Sequence, residues 1–192
     1  MVAPIKVSDV FDDLPEVETE RLLLRKLHLD DAEDMFRYAS DQEVTRFLLW
    51  EPHRTIEDSR TAIRSAMEDH ENGRVRSWGV VHKADQRLIG TAGFQWWRPD
   101  SASAEIGYLM SRDYWGRGLM PEAVRAVLQF GFERMKLNRI EARLIPDNVA
   151  SVRLLEKVGM THEGTLRDEY YIDGKFSDTG VYAMLYREWS AE

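Results

Sequence analysis

The sequence predicts an α/β fold of the mixed α+β kind, a central mixed β-sheet with helices flanking both faces. Three features carry that expectation: helix-periodic segments between Ala32 and Glu71, a strand–helix–strand–helix unit from Ser103 to Gly159, and a closing hairpin about Asp173-Gly174. A length of 192 residues, 43% of them hydrophobic and 31% charged, suits one domain over 1–192 with a substantial core, preceded within it by an irregular acidic arm over 1–18.

The elements follow in order. Thr19 to Lys26 has an apolar centre and reads as a strand. Asp30 and Glu33 have capping-box spacing, with Ala32, Met35, Phe36 and Ala39 at helical intervals behind them. A short helix from Asp41 to Leu48 and a break over Trp50 to Arg54 come next. Thr55 caps a helix to Glu71 with Ile56, Ile63 and Met67 inward, ended by Asn72-Gly73 in left-handed geometry. Strands Val75–Lys83 and Arg87–Phe94 flank a polar turn, Gly90 and Gly93 signalling a bulge or a close backbone approach. Gln95 to Ser101 reads as a tryptophan-rich loop. A strand ends at Ser111, and Pro121 is placed to open a helix whose Val124, Val127, Leu128, Gly131 and Met135 share one face. Strand Arg139–Ile145, a helix capped by Asn148 and ended at Gly159, and hairpin strands Met160–Tyr170 and Phe176–Tyr186 complete the chain.

A formal charge of -8 disfavours nucleic acid as a partner, whose binding draws on basic surface, and suits a cationic one. With no cysteine there is no disulfide, thiolate nucleophile or cysteine metal site. No apolar run is long enough to span a bilayer and the N-terminus lacks a signal pattern, so the expectation is a soluble cytoplasmic chain with no membrane partner.

The chemistry centres on Ser103 to Glu122. A helix start carries unpaired N–H groups and a partial positive charge, and Gly116 and Gly118 beside Arg112 and Arg117 make a glycine-lined approach to one. Both an anion site and a plain connecting loop with two permissive glycines fit this local sequence. A dinucleotide fingerprint does not, because Pro121 takes the third glycine's place and several residues separate Met110 from Gly116. No Gly-x-x-x-x-Gly-Lys-Ser/Thr loop and no Gly-x-Ser-x-Gly elbow is present, and His28, His53, His70, His82 and His162 show no metal spacing, so no metal is expected.

Four segments in order, the strand with Glu105, the turn Tyr114 to Ala123, Asn148 to Met160 and the tail Glu163 to Lys175, resemble the GNAT acetyltransferases, most of all their ribosomal-protein N-terminal acetyltransferase (Rim-type) branch. The resemblance covers Thr19 to the C-terminus. It implies a splayed GNAT sheet and acetyl-coenzyme A as donor, with the backbone of Gly116, Arg117, Gly118, Leu119 and Met120 around the pyrophosphate. Backbone groups near Leu109, Met110 and Ser111 would pair with the pantetheine arm, and Asn148 would reach the donor while also capping its helix. The acceptor is a primary amine, a protein N-terminus or a small molecule, deprotonated by Glu105, whose alternative is a solvated strand carboxylate. The superfamily's tyrosine acid falls at Leu155 here, and Ser151 is the substitute the branch suggests, or else only a helix-start hydrogen-bonder. Met120 departs from the usual small residue, and Asp178 matches a recurrent acid without assigned chemistry. Trp50, Trp96 and Trp97 with the front helices should border the acceptor pocket. The branch also implies a homodimer. The missing tyrosine keeps a non-catalytic acyl-coenzyme A-binding or protein-interaction domain as the alternative.

Overall fold

The computed structural model describes residues 14–72, 77–172 and 174–189. Its strands are β1 (Val17–Glu18), β2 (Leu22–Arg25), β3 (Ser77–His82), β4 (Arg87–Arg98), β5 (Ser103–Met110), β6 (Arg139–Leu144), β7 (Thr161–Ile172) and β8 (Lys175–Leu185). The helices are α1 (Ala32–Ala39), α2 (Gln42–Thr45), α3 (Ile56–Glu71), α4 (Leu119–Glu133), α5 (Val149–Lys157) and α6 (Tyr186–Trp189). One mixed sheet runs β1-β2-β3-β4-β5-β6-β8-β7, antiparallel throughout except for the parallel pair β5–β6. Two cores cover its faces. The larger joins the sheet to α4 through Val124, Val127, Leu128 and Phe132, and Leu155 of α5 reaches it. The smaller packs Met35, Tyr38 and Ala39 of α1 and Ile63 of α3 against Val81 and Leu88.

Several boundaries differ from the sequence reading. Of the expected arm, residues 1–13 lie outside the described residues, but Leu14 is buried, the Trp78 indole donates to Pro15 O (2.7 Å), and Val17–Glu18 pairs with β2. Thr19–Lys26 is therefore not one strand: a turn closed by Thr19 N–H on Leu22 O splits it. The α1 start is organised by Asp31 rather than Asp30 and Glu33. Its carboxylate accepts from the His28 N–H and from Arg25 Nη1 and Nη2 at 2.8 Å each, and Asp31 closes the short 3-10 turn Leu29–Asp31. In α3, Ile63 is buried but Met67 is 38% exposed, Ala62 and Ala66 packing in its stead. Asn72 ends that helix without left-handed geometry, and Gly73 and Val75 lie outside the described residues.

Of the expected tryptophan loop, Gln95 to Arg98 is strand, since β4 continues to Arg98 and pairs Trp96 with Glu105 across a bulge at Gln95, and Pro99–Ser101 forms a 3-10 turn. Gly90 makes the close approach its position signalled: a Cβ there would stand 2.2 Å from Leu109 O. Helix α4 starts two residues earlier than expected, with Gly118 as N-cap at φ +75° and Pro121 as its third residue. In the closing hairpin, Ile172 pairs with Lys175 and Gly174 takes φ +77°, while Asp173 lies outside the described residues. Asp178 has a structural task in that hairpin, accepting the N–H of Asp168, which sits at φ +53° in a bulge of β7.

Candidate active site

The site is built on a divergence in the sheet. β5 and β6 pair only over Ser103–Ile106 against Arg139–Ala142, and beyond that register they part. Strand alternation puts Glu105, Gly107 and Leu109 on the α1/α3 side, while Ile106, Tyr108 and Met110 face α4. Two clefts open on the gap. One, of about 360 Å³, lies along β5, the start of α4 and the length of α5 and is lined by Met110, Gly116, Gly118, Leu119, Met120 and Lys157 among others. The second, of about 330 Å³, holds Glu105, Gln95, Trp50, Arg143 and Tyr170. Tyr108, Leu109, Asn148 and Ser151 belong to both, so they mark where the clefts meet.

The first cleft has the chemistry of an anion cradle at one end. Gly116 and Gly118 both sit at positive φ (+74° and +75°), and a Cβ at Gly116 would meet nothing within 4 Å. The N–H groups of Leu119 and Met120 belong to the first turn of α4, where no intrahelical acceptor exists. Their side chains are buried in the core, which leaves backbone rather than side chain to face a ligand. An Arg21–Glu122 brace holds the turn from behind. Arg21 Nη1 donates to Arg117 O (2.9 Å), and the Glu122 carboxylate accepts from Arg21 Nε (2.7 Å), Arg21 N–H (2.9 Å) and the Thr19 hydroxyl (2.6 Å). Burial pushes the Glu122 carboxyl up, but those hydrogen bonds outweigh it and hold the group below its usual range.

Along β5 the backbone alternates in direction. Ser111 N–H donates to Ile89 O (2.7 Å) and Ser111 O accepts from Tyr114 N–H (3.0 Å), so both groups are engaged internally. The same antiparallel ladder turns Leu109 toward β4 and aims the backbone of Tyr108 and Met110 at the gap. Of the three residues expected to offer main-chain pairing, Met110 is therefore the one directed there, although its carbonyl also accepts the Trp115 indole (2.8 Å). Leu109 contributes its side chain to the wall. Ser111 and the Arg117 side chain lie apart, lining a neighbouring polar cleft with the Arg117 guanidinium over the Tyr114 ring. The donor set fits an anionic group at the α4 start continued by an amide-bearing arm along β5.

In the second cleft the Glu105 side chain is only 17% exposed. The Trp96 indole donates to Glu105 Oε2 (2.8 Å) and Arg143 Nε stands 3.4 Å from the same oxygen. Burial raises the Glu105 carboxyl above its ordinary value; Trp96 and Arg143 oppose this, and Glu141 and Glu169 add to it. Arg143 is itself shared among Glu105, Glu141 (3.3 Å) and Glu169 (3.0 Å). At the meeting point, the Tyr108 hydroxyl lies 2.6 Å from Ser151 Oγ, and Asn148 Oδ1 accepts the Ser151 N–H (3.2 Å) as the α5 cap. Burial pushes the Tyr108 phenol well up, so it stays protonated.

Sequence reasoning missed Tyr108, Arg21 and the tie from Trp96 to Glu105. Tyr108 had a signal: it is the one hydroxyl in the otherwise apolar alternation Ala104, Ile106, Tyr108, Met110. Leu155, where the superfamily's tyrosine would fall, is fully buried in the main core. Trp50 borders the second cleft as expected, whereas Trp97 packs against the main core.

Comparison with known proteins agrees with this geometry. A family model described as an acetyltransferase (GNAT) domain matches residues 21–161. The chain is 36% identical to the N-acetyltransferase p20 of Bacillus licheniformis over 172 residues, 90% of this chain and 97% of that one. It is 30% identical to the [ribosomal protein uS5]-alanine N-acetyltransferase of Escherichia coli over 188 residues, covering 93% and 95% of the two chains. A crystal structure of a GNAT-family acetyltransferase from Bacillus anthracis superposes with a TM-score of 0.81 at 31% identity, covering 90% of this chain and 99% of that one. The chain therefore belongs to the GNAT acetyltransferase family and is, by that membership, an acetyl-coenzyme A-dependent N-acetyltransferase.

Proposed function

We propose that the protein acetylates a primary amine, foremost the α-amino group of a protein N-terminus and otherwise a small amine, by direct attack with both substrates bound. The observation that carries this reading is the joining of the two clefts across the gap between β5 and β6, with the Glu105 carboxylate on one side and a hydroxyl pair on the other. Acetyl-coenzyme A supplies the acetyl group already activated as a thioester. Gly116, Arg117, Gly118, Leu119 and Met120 offer the backbone cradle for its pyrophosphate, Met110 and Tyr108 main-chain partners for its arm, and Asn148 a polar wall.

On the acceptor side, Glu105 takes a proton from the ammonium form of the amine. Trp96 and Arg143 both occupy Oε2, so Oε1 is the oxygen left for that transfer. Its raised pKa brings the base closer to the amine it must deprotonate than a solvated carboxylate would be. Ser151 and Tyr108 together hold two hydroxyl hydrogens. One bridges the pair, and the other is free to be donated to the departing sulfur. The name of the E. coli relative, an enzyme acting on a ribosomal protein, supports a protein N-terminus as acceptor.

A thiol-release assay over small primary amines and peptides beginning with Ser, Ala, Met and Asp, paired with coenzyme A titration, tests the reading. Saturable binding and release of thiol with at least one peptide or small amine is expected. Coenzyme A binding without thiol release across the whole set would overturn it.

A further inference from the structure

Behind the acceptor cleft lies a second chamber of about 390 Å³ that the chemistry above does not use. It is walled by Met35 and Ala39 of α1, Ala62 of α3, and Thr91 and Leu109 of the sheet. Trp50, Thr91 and Leu109 line both this chamber and the cleft holding Glu105, so the two spaces adjoin at these residues. Trp50 stands at that junction with its ring 5.2 Å from the ring of His53. The volume is in the range of small-molecule sites, roughly 300–1,000 Å³.

The lining is apolar where it is deep. Met35 and Ala39 are buried members of the smaller core, and Ala62 and Leu109 pack against it. Tyr38 and Thr91 bring neutral hydroxyls to the lining, and Glu51 is the one carboxylate among its described residues. His53 Nδ1 is engaged with Ser59 Oγ at 2.8 Å, and burial holds its ring below the ordinary histidine value, hence neutral. Glu51 is exposed at the rim. Tyr38, also on the wall, is buried, and its hydroxyl has no hydrogen-bond partner. A neutral hydroxyl supplies no counter-charge, so an ammonium carried past Glu51 to the Met35, Ala39 and Ala62 wall would lose hydration that those apolar side chains do not replace.

We propose that this chamber receives the apolar side arm of the acceptor, so that the enzyme selects α-amino groups borne next to an aliphatic, thioether or aromatic side chain over diamines. The proposal rests on the reading of the Glu105 cleft as the acceptor site. The amine stays beside Glu105, and the side chain one carbon away passes Trp50 into the space between α1, α3 and the sheet. Apolar arms gain affinity from leaving water, whereas the second ammonium of a diamine is turned away by the same walls.

The test is thiol release with glycinamide, leucinamide, phenylalaninamide and 1,4-diaminobutane as acceptors. Leucinamide and phenylalaninamide should exceed glycinamide by roughly tenfold or more in kcat/KM, and the diamine should fall below glycinamide. Ala62→Phe, which fills the chamber from α3, should cut the advantage to about twofold while leaving glycinamide within about twofold of the parent. Thermal midpoint and coenzyme A affinity check that the variant is folded, and Ala62→Leu replaces it if it is not. Glycinamide or the diamine matching the apolar amides, or a folded filled variant keeping the full advantage, would overturn the proposal. Coenzyme A binding with no acetylation of any amine would take down the acceptor reading together with it.

Discussion

At Glu105 two neighbours compete over one carboxylate oxygen while burial works on the whole group. The balance leaves the carboxyl above its ordinary value, so it is protonated and inactive as a base at acid pH, and activity should rise as pH climbs through that raised pKa. Glu105→Gln removes the proposed base; kcat/KM should drop about 100-fold or more with coenzyme A affinity unchanged, measured by thiol release and calorimetry. Trp96→Phe deletes a hydrogen bond that favours the charged form, so the rising limb of the pH profile should move to higher pH. On the other side of the gap, Ser151→Ala and Tyr108→Phe should each lower kcat. The double variant should lose little beyond the worse single one, because the two bonded hydroxyls are proposed to act as one donor. A fully additive loss would mean that they act separately. Legibility at this scale was uneven. Glu105 and Ser151 stood in recognisable motifs, but Tyr108 lies 43 residues from its partner, and no local pattern links them.

Among the elements, the turn into α4 depends on two things the chain supplies far apart. Gly118 sits at φ +75° and a Cβ there would meet nothing closer than Arg21 Nη2 at 3.7 Å, so Gly118→Ala is a matter of backbone strain rather than clash. It should cost about 1–2 kcal/mol and weaken coenzyme A binding, read from denaturant unfolding and titration. Arg21→Ala should weaken coenzyme A binding too, by freeing the Arg117 carbonyl and taking the guanidinium away from Glu122. Because the folded Glu122 pKa is depressed, its stabilising share is present above the unfolded carboxylate pKa and is lost as pH falls through the folded value. The thermal midpoints of the parent and Glu122→Gln should therefore converge at acid pH and separate at neutral pH. Gly90 is a different case. A Cβ placed 2.2 Å from a backbone oxygen cannot be relieved by a side-chain rotation, and Gly90→Ala should destabilise by more than about 2 kcal/mol.

For the molecule as a whole, the donor cleft involves β5, α4 and α5 at once, so a ligand there binds the folded state alone. Coenzyme A at 100 times its Kd should add about 2.7 kcal/mol and raise the thermal midpoint by roughly 5–10 °C in calorimetry. No helix among the described residues is long and apolar enough to cross a membrane. What the sequence determined by itself was whatever is written locally: the order of strands and helices, the buried stripe of α4, the glycine turn, the Asn148 cap and the family those segments share. What it left open were properties of pairing. Whether Gln95 to Arg98 is loop or strand depends on β5 lying alongside, and the role of Arg21 depends on a carboxylate 101 residues away. The gap between β5 and β6, the backbone directions of Tyr108 and Met110, and the chamber behind Trp50 exist only once strands distant in sequence are set side by side. Hydrogen-bond register and side-chain alternation then decide together which groups meet.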